Sequence, residues 1–130
     1  MMKIALASLL AIAACGAGQS GQDNNGIAGL AVYPGATAFC DGRVYTKSPP
    51  KHLSWKTFGS SADRATVAGF YDKQLTGAEK EDDGDSITWR YKQAGEVTTV
   101  LSLHDAAKRG PWNSCATPAA AKTIILQSTR

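Results

Sequence analysis

The stretch SITWRYK, residues 86–92, constrains the fold most. Ile87, Trp89 and Tyr91 fall on one side of it, and Thr88, Arg90 and Lys92 on the other. A period of two fits a pleated strand with one buried face and does not fit a helix. QAGE follows as a short turn, and VTTVLSL, 97–103, returns as the hairpin partner. A hairpin with one apolar face must bury that face against another element.

GSSADRATVAGFYDKQLTG supplies that element. Val67, Phe70, Tyr71 and Leu75 recur at i, i+3, i+4 and i+8, the stripe of a helix with one core-facing side. Ser60 and Asp63 have the S-x-x-D form of a capping signal, and Gly77 is a natural stop. Arg64, Asp72 and Lys73 lie off the stripe and read as solvated. Gly69 costs about 1 kcal/mol against alanine, which is accounted for if the helix lies close on a sheet.

Upstream, YPGA turns into a first strand over 37–46, where Gly42 invites a bulge. SPPK, 48–51, forces an extended connection, and LSWKTF, 53–58, is a second strand with Leu53, Trp55 and Thr57 on one face. KTIILQS, 122–128, is the last strand, and a central one, because Ile124 and Ile125 call for burial on both faces. The order ββαβββ predicts an α+β fold: an antiparallel sheet of four to five strands, one helix on one face and the other face largely wet. EKEDDGD, 79–85, gathers acids without the alternate ligands and closing glutamate of a calcium loop, and reads as a solvated connection.

Ahead of the domain, Lys3 precedes an apolar run, 4–14, broken only by Ser8 and too short to cross a bilayer that needs about 20 residues. It reads as a secretion signal. Its end, Ile12, Ala13, Ala14 and Cys15, resembles the lipobox of bacterial lipoproteins. That resemblance implies a diacylglycerol on the Cys15 thiol, cleavage before it, and anchoring to a membrane by acyl chains, each worth ~0.8 kcal/mol per buried CH₂. Gly16 in place of aspartate implies the outer membrane, facing the periplasm. Residues 1–14 are then the signal, 15–30 a lipidated tether and 31–130 a single α+β domain. The succession of YPGA, the WKTFGSSADRATVAGFYDKQL stretch and a tryptophan-bearing strand also resembles small secreted and lipid-anchored envelope domains of bacteria, a likeness that implies fold and location but no activity.

With Cys15 lipidated, Cys40 and Cys115 remain, an even number in a compartment that permits disulfides, and they are expected to pair. A net charge of +3, with basic residues scattered among acids, gives no footprint for nucleic acid. No CxxC or HxxxH spacing suggests a metal, and no cofactor motif is present. Ser102, His104 and Asp105 stand close in sequence, but a nucleophile needs an exposed turn and an oxyanion hole, and no GxSxG occurs. The long connection HDAAKRGPWNSCATP, 104–118, offers Lys108, Arg109 and Trp112 as partner contacts, with Arg43, Lys47 and Lys51 extending a basic rim if the disulfide gathers the segments. Alternatively, Trp112 folds back over the edge of the core. The expected role is a non-enzymatic binding or accessory module for a periplasmic protein or cell-wall component. The alternatives are a small periplasmic enzyme acting on an envelope substrate and an inhibitor or immunity-type protein.

Overall fold

A computed structural model describes residues 26–47 and 50–129. Residues 1–25, with the expected signal, the Cys15 expected to carry lipid and most of the expected tether, lie outside the described residues. The strands are β1 (Thr37–Lys47), β2 (Pro50–Ser60), β3 (Glu79–Asp82), β4 (Ser86–Gln93), β5 (Glu96–Asp105) and β6 (Thr123–Thr129), with one helix, α1 (Arg64–Gln74). All six strands join one antiparallel sheet in the order β1-β2-β6-β5-β4-β3. The α+β class and the single helix agree with the sequence; the strand count does not.

The additional strand is β3, drawn from the acidic stretch expected to be a loop. Its four residues are exposed, and it is held by what faces it on β4. Lys80 lies 5.5 Å from the Trp89 ring and 2.9 Å from Asp72 of α1, while Arg90 meets Glu81 at 2.8 Å and Lys92 meets Glu79 at 3.2 Å. Each exposed pair is weak, but several of them act on one short ladder.

On the helix side of the sheet, Val67, Tyr71 and Leu75 of α1 pack on Phe58, Trp89, Leu101, Leu103 and Ile125. The helix begins at Asp63, whose carboxylate accepts from the Thr66 amide at 2.8 Å. Ser60 is not the cap: it ends β2, and its hydroxyl accepts from the Ala62 amide. Gly69 does not answer to a close approach, since a Cβ there would meet nothing within 4 Å. Gly42 does, but not as a bulge. β1 runs through it unbroken, the register shifts between Ala38 and Cys40 instead, and a Cβ at Gly42 would fall 2.5 Å from the Trp55 indole across the ladder.

The domain starts earlier than residue 31. Ile27–Gly29 form a 3₁₀ turn, Leu30 is buried in the main core, and the Ile27 amide donates to Gln127 Oε1 at 2.8 Å. Gln127 Nε2 and the Tyr71 hydroxyl both donate to the Ala31 carbonyl, at 2.9 and 2.8 Å, and the Tyr33 amide donates to Tyr71 at 3.1 Å. This segment is strapped down by two buried polar side chains, Gln127 on a strand and Tyr71 on the helix.

The second face is not largely wet. The β5–β6 connection folds over part of it, and Cys40, Trp112 and Ile124 form a second core with Trp55, Cys115 and Leu126 around them. β6 is central as expected, with Ile125 in the first core and Ile124 in the second. Cys40 and Cys115 are bonded, their Cα atoms 5.9 Å apart and 75 positions apart in sequence. In the chain-entropy account, closing that loop stabilises the fold by about 4.5 kcal/mol.

Candidate functional site

The covering connection is built from its own turns. Lys108 N donates to the Asp105 carbonyl at 2.9 Å, Ala107 N to the Asp105 carboxylate at 2.9 Å, and Ala106 N to the Lys122 carbonyl at 3.0 Å. Pro111–Ser114 make a short 3₁₀ turn that drives the Trp112 indole inward, and Cys115 fastens the far end to β1. Gly110 lets the indole tuck under, because a Cβ at that position would sit 2.4 Å from the ring. Trp112 is 2% exposed. Of the two readings of Trp112, the structure bears out the one that folds it back over the core, and Trp112 is withdrawn as a partner contact, since burying that much apolar ring in a half-open face outweighs leaving it in water.

Lys108 and Arg109 are exposed on this connection. Lys108 lies 3.8 Å from Asp85, in the β3–β4 turn. The basic rim does not gather around Lys108, which follows Asp105 at the Ser60–Thr123–Asp105 end of the sheet; the connection reaches the other end at Pro111, which lines a groove with Val44, Leu53 and Ser54, but Arg43 there lies on the opposite, helix side of β1. Lys47 lies further along β1 still, and Lys51 pairs with Thr46 at that same far end.

Beneath Trp112, the structure brings Ser102 and His104 together. Ser102 Oγ and His104 Nε2 are 2.8 Å apart, and the imidazole is 5.3 Å from the indole. Burial holds the imidazole below its ordinary pKa, the positive Arg64 adds to this, and Asp83 opposes it. A neutral imidazole beside a hydroxyl is the beginning of a catalytic pair, but the rest of the constellation is missing among the described residues. Ser102 is buried in the middle of a strand, and the Asp105 carboxylate is turned into its own loop. A groove of about 510 Å³ is lined by Asp63, Arg64, Asp105, Ala106 and Lys122 among others, and neither Ser102 nor His104 lines it.

The acids of the β3–β4 turn are likewise engaged locally. Asp82 accepts from Gly84 N, and Asp83 accepts from Ser86 N and Asp85 N, at 2.8 to 3.0 Å. The Ser86 and Asp85 amides hold the Asp83 carboxyl below the usual range, and Arg64 clamps the turn by donating to the Gly84 and Asp85 carbonyls. Among the described residues, no group of three or more His, Cys, Asp or Glu is placed to hold a metal ion.

Sequence reasoning did not foresee the Tyr71–Gln127 strap or the closed Ser102–His104 pair. The signals were present but slight: a glutamine in the last apolar strand and a serine two residues before a histidine on a strand of period two. Compared with protein-family models, with curated proteins and with solved structures, the chain matches none.

Proposed function

We propose that this chain is a lipid-anchored protein of the bacterial envelope whose folded domain is a non-enzymatic binding or accessory module, held through Cys15 at the outer membrane and facing the periplasm. The observation that carries the non-enzymatic part is the placing of the Ser102–His104 pair: the hydroxyl with the best-placed base is buried in a strand beside a half-buried imidazole, away from the groove lined by Asp63, Arg64 and Asp105, and the nearby carboxylate is held in a turn. The Cys40–Cys115 bond supports a location outside the reducing cytoplasm, and the apolar run ending in Ile12, Ala13, Ala14 and Cys15 supports anchoring by acyl chains. Partners on this reading are a periplasmic protein or a cell-wall component.

Labelled fatty acid fed to cells expressing the full chain tests the anchor. Label is expected on the wild type, with the protein in the membrane fraction, and neither is expected for Cys15→Ala. Equal labelling of both forms refutes the proposal.

A further inference from the structure

The two edges of the sheet differ in kind. β3 is short, charged at every position and exposed, and three of its four residues are acids, so a second copy laid against it would set like charges together. β1 is 11 residues long, with Asp41, Arg43, Val44 and Tyr45 exposed. Val44 and Tyr45, at 47% and 55% exposure, are the exposed large hydrophobic residues of the described chain. Natural edge strands are blunted by shortness, proline, bulges or inward-pointing charge. Between Asp41 and Thr46, β1 has no proline and no register shift.

The charges on this edge are arranged to meet themselves. Asp41 and Arg43 lie on the helix side of the sheet, two residues apart, and among the described residues neither side chain forms an ion pair or hydrogen bond. Lys56, directly across the ladder from Asp41, holds its ammonium 5.7 Å from the Phe58 ring. We infer that β1 is a self-association edge, at which a second copy of this chain pairs antiparallel about a two-fold axis at Gly42 and extends the sheet across both copies. In that register Asp41 of each copy lies opposite Arg43 of the other, and Val44 lies opposite Cys40 on the second face. Centring the axis on Asp41 or Arg43 instead sets acid on acid or base on base. A slip of one residue puts helix-side residues opposite second-face residues, which the pleat forbids. Of the registers that keep sidedness, the axis at Gly42 is the one that gives Arg43 an opposite charge; an axis at Val44 faces Asp41 with Lys47 but sets Arg43 opposite Tyr45, so Arg43→Asp separates the two.

Sedimentation equilibrium of the purified full chain at low ionic strength tests this, using Asp41→Arg, Arg43→Asp and the double variant carrying both. The wild type is expected to dimerise. Each single variant replaces two attractions with two repulsions and is expected to weaken the dimer roughly 10-fold to 100-fold, a difference that narrows with added salt. The double variant is expected to recover wild-type association. So is an equimolar mixture of the two single variants, because one then presents a base at both positions and the other an acid at both, and every facing pair is again attractive. Recovery on mixing also shows that each single variant is folded. A wild type that stays monomeric at the highest concentration reached overturns the inference, including when an extended peptide from another protein occupies the edge. Single variants that associate like the wild type, or a mixture as weak as its components, overturn it equally.

Discussion

Tyr71→Phe isolates one hydroxyl. The ring is fully buried, with Phe70 at 5.0 Å and Trp89 at 6.0 Å between centroids, and phenylalanine keeps those contacts. What is lost is the donor to the Ala31 carbonyl and the acceptor for the Tyr33 amide. The Ala31 carbonyl keeps Gln127 Nε2, so its loss is partial; the Tyr33 amide keeps nothing in its place. One neutral hydrogen bond and one stranded amide together come to about 1–3 kcal/mol, and a groove of about 210 Å³ bordered by Gly29, Leu30 and Ala31 gives water a way in, which favours the lower half of that range. Urea unfolding of both proteins reads the difference, with equal m-values as the check that only stability has changed. The pH dependence supplies a second reading. Burial pushes the Tyr71 phenol up to about 12, against 10.0 for a free tyrosine. A raised pKa contributes stability that is complete below 10 and lost as pH climbs toward 12, on the order of 3 kcal/mol in all. The advantage of the wild type over Tyr71→Phe therefore narrows above pH 10 and disappears before 12. Two proteins of equal stability at neutral pH, or parallel pH profiles above 10, refute the strap.

Gly69→Ala is expected to stabilise the domain by about 1 kcal/mol, because the site is exposed in mid-helix with open space where a Cβ would stand. Thermal unfolding should show a rise of roughly 4–8 °C, and a fall would mean the helix face is misassigned. His104 has a folded pKa below 6.5, so the fold prefers the neutral imidazole; its contribution is present above 6.5 and lost as pH falls below that value. Wild type should lose more stability than His104→Gln as pH falls from 6.5, and superimposable profiles would place the imidazole in water rather than under Trp112.

Much of this fold was legible because its signals are periodic and local. The Ile87, Trp89, Tyr91 alternation and the Val67, Tyr71, Leu75 stripe each select one face without reference to anything distant, and Ile124 beside Ile125 showed that the last strand is covered twice. β3 escaped because its residues lack strand propensity; its pairing is visible only when Glu79 and Glu81 are set against Lys92 and Arg90, a comparison across the turn. The candidate site was harder to read for the same reason. Trp112 is conspicuous in sequence, but its inward direction depends on Gly110 beside it and Cys40 far from it, and neither has a periodic signature. The edge charges show the limit most clearly. Asp41 and Arg43 read as two ordinary surface residues until β1 is known to be an outer strand of the described sheet, and their spacing gains meaning only when a second copy is laid alongside. Charge reversal at these two positions therefore separates an exposed strand that merely tolerates its charges from one whose charges fix a register.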